Sequence, residues 1–279
     1  SEVLGERASV TSPENAVMTV ENGEVVFENV TFRYSRAAER PALSDINLTI
    51  RSGETVGILG GTGSSKSTLI QLISRLYDVS EGTVKVGGID VRDYDLDTLR
   101  HAVAMVLQKN QLFSGTIKEN IRWGKPDATD EEIREAAEKA NALEFIEKFP
   151  EGFETITGER GVKLSGGQRQ ALTLLMATMR KPQLLLLDEH TAALDPKTAA
   201  KVMEVTRTLV NQGHLTTLMI THNMRDAIEY GDRLIMMYNG RIALDISGDE
   251  KRNLTVEDLL AKFGQATGSS EANDKLLLS

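Results

Sequence analysis

A short apolar run, Glu54 to Leu59, ends in a glycine-rich turn, Gly60-Gly61-Thr62-Gly63-Ser64-Ser65-Lys66, that passes at once into the helix-like segment Ser67 to Leu76. A strand that feeds a helix through such a turn commits the chain to an α/β fold, because the helix must pack back on the sheet that the strand joins. The rest of the pattern agrees. Val30, Phe32 and Tyr34 alternate with polar neighbours, as do Ile46, Leu48 and Ile50, so the N-terminal part reads as half-buried antiparallel strands. Leu184 to Leu187 is apolar throughout, the mark of a parallel strand covered on both faces. Thr216 to Thr221 and Arg233 to Tyr238 read as further strands, the latter ending at Asn239-Gly240. The middle reads as helical: a capping box at Thr129 and Glu132, a run from Leu143 to Phe149 stopped by Pro150, and a helix from Gly167 to about Arg180. Helices are also expected over Val202 to Val210 and Thr255 to Phe263, with a loose tail after Gly264 in which Leu276 to Leu278 can dock.

The turn at residues 60–67 nearly matches the P-loop pattern. Its backbone N–H groups and the helix N-terminus suit phosphate, with Gly60, Gly61, Thr62, Gly63, Ser64, Ser65 and Thr68 lining the cradle. Lys66 supplies a mobile positive charge and Ser67 a hydroxyl for Mg²⁺. One departure stands out: Ser65 occupies the place of a glycine, so its side chain crowds the phosphate or its backbone takes a costly angle. The Leu184–Leu187 strand delivers Asp188 and Glu189, the first suited to hold Mg²⁺ directly or through water, the second to orient or deprotonate a water. Taken alone, a strand ending in Asp-Glu is equally an ordinary loop start.

Between these two lies Leu164-Ser165-Gly166-Gly167-Gln168 at the head of a helix, where a hydroxyl and bare N–H groups face outward. The three motifs in this order resemble the ATPase domain of ABC transporters, over about residues 24 to 248. The resemblance implies a P-loop core with a mostly parallel sheet, an antiparallel β subdomain and an inserted helical subdomain. Residues 1–20, with few ordered apolar positions and Ser12-Pro13-Glu14-Asn15 among them, read as a linker. The expected division continues with a β subdomain and first core part at 21–110, a helical subdomain at 111–180, a second core part at 181–250, and a C-terminal helix and tail at 251–279. The resemblance also implies ATP and Mg²⁺ as ligands, with Ser165, Gly166, Gly167 and Gln168 meeting the ATP of an opposite subunit. Tyr34 then matches the aromatic that stacks on adenine, Gln108 the residue that contacts Mg²⁺ or the water, Asp195 the D-loop, and His222 the switch histidine at the γ-phosphate. On residue type alone, Tyr34 is equally a strand aromatic and His222 equally a structural histidine. The implied partners are a second ATPase domain, identical or different, and a membrane-spanning domain that this chain lacks.

The resemblance divides. Leu112 to Ile117 with Glu119-Asn120-Ile121, Gly158-Glu159-Arg160-Gly161 and the opening Glu2-Val3-Leu4 look like an exporter. After Gln170, His190 to Asp195 and Thr221 to Asp226 look like an importer's stand-alone subunit, so a splice near 165–170 is expected. The net charge of -9 disfavours a nucleic-acid partner, and the absence of cysteine excludes disulfides and thiol chemistry. No stretch approaches the roughly 20 apolar residues of a membrane span. The chain opens on Ser1, reads as cut from a longer one, and is expected on the cytoplasmic side. A nucleotide-binding module with little turnover is the alternative function; a soluble ABC protein of DNA repair or translation is disfavoured by charge and by the lack of a coiled-coil insertion.

Overall fold

Val25 and Phe27 face inward along β1 (Val25–Phe32), as strict alternation requires, but the next buried residues are Val30 and Phe32. A bulge resets the alternation. Asn29 takes a left-handed φ of 49° and the register against both neighbouring strands shifts there. Gly82 lies opposite, where a Cβ would stand 2.4 Å from the carbonyl oxygens of Glu28 and Asn29. The computed structural model describes residues 9–35 and 37–268; Glu2-Val3-Leu4 and Leu276 to Leu278 lie outside them.

β1 sits in an antiparallel sheet between β2 (Leu43–Ile50) and β4 (Glu81–Val86), with β5 (Ile89–Asp90) at the edge. Between them in sequence come β3 (Thr55–Leu59) and α1 (Lys66–Ile73). There follow α2 (Leu96–Ala102), β6 (Val103–Val106), α3 (Ile117–Gly124), α4 (Asp130–Lys139), α5 (Leu143–Glu147) and α6 (Gly166–Thr178). The last part alternates β7 (Leu184–Asp188), α7 (Pro196–Gly213), β8 (Thr216–Ile220), α8 (Met224–Tyr230), β9 (Arg233–Tyr238) and β10 (Arg241–Ser247), then α9 (Gly248–Arg252) and α10 (Val256–Thr267). The second sheet has the order β10-β9-β3-β8-β7-β6, and only β10 runs antiparallel to its neighbour.

β7 shows why that sheet is one layer of three. Leu184 and Leu186 enter the core shared with the antiparallel sheet and α1, while Leu185 and Leu187 enter the core under α4, α6 and α7. All four are fully buried, each worth about 1.5–3 kcal/mol relative to exposure. A third core, around Met224, Leu259 and Phe263, seats α8 and α10.

The structure adjusts several boundaries. α1 stops at Ile73, three residues short of the expected Leu76, because Arg75 turns left-handed at φ 48° to pair with Asp78. α10 continues past Gly264 to Thr267, so the tail is ordered at least to there. Residues 12–20 are pinned: Val17 bridges Tyr94, Ser12 bonds Asp95, and Val17 and Val20 pack on the core.

Candidate functional site

β3, β8 and β7 are adjacent and parallel, so their C-terminal ends lie side by side. Such a row of strand ends is where open α/β sheets bind ligands. Gly60 leaves β3 at φ 153°, where a Cβ would meet the Met237 carbonyl oxygen at 2.5 Å and Ser64 Oγ at 2.6 Å. The loop closes through Ser64 N–H to the Gly61 carbonyl (3.1 Å), and Ser65 caps α1 in the left-handed region, φ 70°, ψ 26°. That is the costly angle anticipated for a serine in a glycine's place. The first helical bond is Leu69 N–H to Ser65 O, which leaves the N–H groups of Lys66, Ser67 and Thr68 without intrahelical partners.

Lys66 turns back over the loop. Its Nζ donates to Gly60 O (2.6 Å) and Gly61 O (3.3 Å), and only 6% of the residue is exposed. Burial lowers its pKa, against the attraction of Glu189 and Asp188. Carbonyls thus hold an ammonium that suits phosphate oxygens better. Beside it, Ser64 Oγ is buried with no partner.

Ser67 Oγ donates to Asp188 Oδ1 at 3.1 Å, which joins the start of α1 to the end of β7. Burial raises the Asp188 pKa more than the Ser67 bond lowers it. Glu189, at φ 50°, donates its N–H to Ile220 O (3.0 Å), and its Oε1 lies 2.5 Å from Nε2 of His222, just past β8. The Nδ1 of His222 is buried with no partner. No group of three or more His, Cys, Asp or Glu side chains is arranged for a metal among the described residues. A hydroxyl and one carboxylate, 3.1 Å apart beside a phosphate-type loop, still fit Mg²⁺, which keeps waters and takes its other oxygens from phosphate.

The other expected residues are placed more loosely. Tyr34 lies beyond β1, 57% exposed, with its hydroxyl 2.8 Å from Thr68 Oγ1 and its ring edge-on to Phe32 and Tyr77. Tyr77 is a neighbour that the sequence did not single out. Gln108 is exposed, two residues past β6. Asp195 is exposed and accepts the Thr198 N–H (3.1 Å) to cap α7, and the Thr198 side chain, then its N–H, holds the carboxyl below the usual range.

The turn at 165–168 is built differently. Ser165 Oγ accepts from Gln168 N–H and Gln168 Oε1 accepts from Ser165 N–H, a full capping box on α6. The Gln168 carbonyl is therefore already engaged. A Cβ on Gly167 would stand 2.4 Å from Thr198 Cγ2, and one on Gly166 3.0 Å from Leu194 Cδ2, so both glycines let the segment 194–198 approach. α6 packs on α3, α7 and β6, whereas α1 packs on β4 and β8. The structure gathers Lys66, Ser67, Asp188, Glu189 and His222 into one site and leaves the Ser165–Gln168 turn on other elements. Sequence reading also missed two links, the half-buried one from Asn110 to Gln170 and the buried one between His190 and Thr206. No spacing rule marks either.

The sequence pattern of the family described as "ABC transporter" matches residues 43–192. A putative multidrug export ATP-binding/permease protein of Bacillus subtilis (strain 168), YgaD, is 43% identical over 258 residues, 89% of this chain and 44% of that protein. A putative multidrug export ATP-binding/permease protein of Staphylococcus aureus (strain NCTC 8325 / PS 47) is 43% identical over 80% of this chain and 38% of its own length. Among solved structures, that of a bacterial Atm1-family ABC exporter with ATP bound superposes with a TM-score of 0.82 at 31% identity, covering 96% of this chain and 45% of that one. This chain spans less than half the length of these relatives. It belongs to the ABC transporter family and is an ATPase domain of that family. An alignment of 258 residues in a chain of 279 crosses residues 165–170, and α6 runs unbroken from Gly166 to Thr178. The comparisons give no support to a splice there.

Proposed function

We propose that this ABC-family chain binds Mg-ATP and hydrolyses it as one half of a face-to-face pair. The observation that carries the reading is a separation: a phosphate cradle with carboxylates on one set of elements, and a helix N-terminus with a hydroxyl and two glycines but no carboxylate on another. Each lacks what the other has, and a second copy supplies it.

Phosphate draws Lys66 Nζ away from the Gly60 and Gly61 carbonyls, exchanging two neutral acceptors for charged ones. Ser67 and Asp188 would hold Mg²⁺, which would neutralise charge on the phosphate oxygens. Glu189 orients the water and takes its proton as the new P–O bond forms in line with the one that breaks, giving ADP and inorganic phosphate. His222, released from Glu189, donates to the γ-phosphate, and Gln108 reaches the metal or the water. Tyr34 gives its exposed face to adenine. Ser165, Gly166 and Gly167 of the partner copy donate to the γ-phosphate from the other side. Residues 21–110 and 181–250 form the nucleotide-binding body and residues 111–180 the helical part that meets a membrane-spanning domain at the cytoplasmic face. Similarity to multidrug export proteins favours export.

Turnover measured against protein concentration tests this, with Glu189→Gln as the inactive control. A rate per chain that rises with concentration supports the reading. A rate no higher than that of Glu189→Gln contradicts it. Ser65 at φ 70° favours a second reading, binding with little turnover. In that case Ser65→Gly raises turnover well above the unmodified chain.

A further inference from the structure

His190 follows Glu189 directly and points the opposite way, into the core, where 3% of it is exposed. Its Nε2 lies 3.1 Å from Thr206 Oγ1 on α7. The direction of that bond follows from Thr206 itself. The threonine hydroxyl has one proton and gives it to Val202 O at 2.8 Å, so toward the ring it can only accept. His190 is therefore the Nε2–H tautomer, and its Nδ1 is a bare acceptor with no partner. A buried ring held by a single directed bond fixes the orientation of the backbone that carries it.

That backbone matters because Glu189 is left-handed at φ 50°, a conformation that persists in a non-glycine residue only where the surroundings impose it. The Ile220 carbonyl holds the Glu189 N–H from one side, and the Ala192 N–H closes a turn onto the Glu189 carbonyl. The His190–Thr206 bond supplies the third hold. The same helix begins at Pro196, capped by Asp195 through the Thr198 N–H, and Leu194 and Thr198 are the side chains nearest to where a Cβ on Gly166 and Gly167 would stand.

We propose that His190 is a positioning residue: its Nε2–H bond to Thr206 fixes the turn that aims Glu189 and ties it, through α7, Leu194 and Thr198, to the Ser165–Gln168 turn of the same chain. The two half-sites of one chain then move as one strut. This rests on the hydrolysis reading above.

The test is steady-state ATP turnover by the full chain, comparing His190→Ala, Thr206→Val, His190→Gln and the His190→Ala/Thr206→Val pair. Gln places an amide N–H near the position of Nε2–H. Loss of aim is expected to lower kcat roughly ten-fold with KM within about two-fold, since misplacement costs rate more than binding. His190→Gln should recover most of the loss, and the pair should be no worse than the poorer single variant. If His190→Ala does not fold, Thr206→Val carries the test: it nearly keeps the volume and removes the hydroxyl that accepts from His190 and donates to the Val202 carbonyl. The proposal is overturned by kcat within about two-fold of the unmodified chain in Thr206→Val, by a Gln variant no better than Ala, or by additive losses in the pair. An unmodified chain no faster than Glu189→Gln sinks the hydrolysis reading itself, and is distinguishable from these outcomes.

Discussion

The two halves of the proposed site solve opposite problems. At the ends of β3, β7 and β8, four ionisable groups and a hydroxyl are crowded together, and each is held by another member or by the loop: Lys66 by carbonyls, Ser67 by Asp188, Glu189 by His222. At the head of α6 there is no carboxylate, only a capping box, two glycines gripped by Leu194 and Thr198, and the Arg169 guanidinium, which is engaged by the Leu164 and Gly161 carbonyls. The first half stores charge that a ligand must reorganise. The second offers dipoles already aimed, whose position depends on packing. Substitutions should therefore act through chemistry in one half and through shape in the other.

The largest effect is expected from Glu189→Gln, which removes the proton acceptor and keeps the volume. Turnover should fall at least about a hundred-fold while nucleotide affinity stays within a few-fold. Equal losses of rate and affinity would show that Glu189 acts as part of the cradle's shape instead.

Next comes His190, which belongs to packing although it adjoins the charged half. Burial alone pushes its pKa down to about 4, whereas the unfolded chain keeps about 6.5. The unfolded state thus binds the extra proton between these values. Stability is whole above about pH 6.5 and falls as the pH drops toward 4, by on the order of 3 kcal/mol in total. Urea midpoints at pH 7 and pH 4.5 should diverge in the unmodified chain more than in His190→Gln, and equal divergence in both would contradict the assignment.

Gly167→Ala should cost about 1–3 kcal/mol by overpacking against Thr198 Cγ2, and Thr198→Ala on the same background should return most of it. A thermal melt that shows no rescue would place the strain elsewhere. The smallest effect is expected at Ser65. Glycine relieves the left-handed backbone but frees the unfolded chain, so Ser65→Gly should gain only about 0.5–1 kcal/mol in chemical denaturation.

What the sequence discloses follows the same division. The charged half was legible because its chemistry is local: a strand, a glycine turn, a lysine, and a second strand ending in two carboxylates. That Ser67 meets Asp188 and Glu189 meets His222 was not legible, since sequence assigns each residue only a role toward Mg²⁺, water or phosphate; adjacency of β3, β8 and β7 supplies the contacts. The bulge at Asn29 was illegible, because only the facing strand explains why alternation slips by one. Residues 12–20 look like a linker by composition and are fixed by bonds to Asp93 and Asp95, far away in sequence. The unusual His190 suggested a different origin for the second half. In the structure it has a local physical role, the bond to Thr206, which needs no second parent.

The claim that joins both halves is that one working site needs two chains. Lys66→Ala lacks the phosphate charge, and Gly167→Asp puts a carboxylate and a clash at the head of α6, so each alone should be inactive. Mixed in equal amounts, half the pairs combine one chain of each kind. Each such pair has one site with the Lys66 of one chain and the Gly167 of the other, and ATP turnover should rise to roughly a quarter of the unmodified rate when chains pair at random and sites act independently. A mixture no faster than either variant alone would contradict the account.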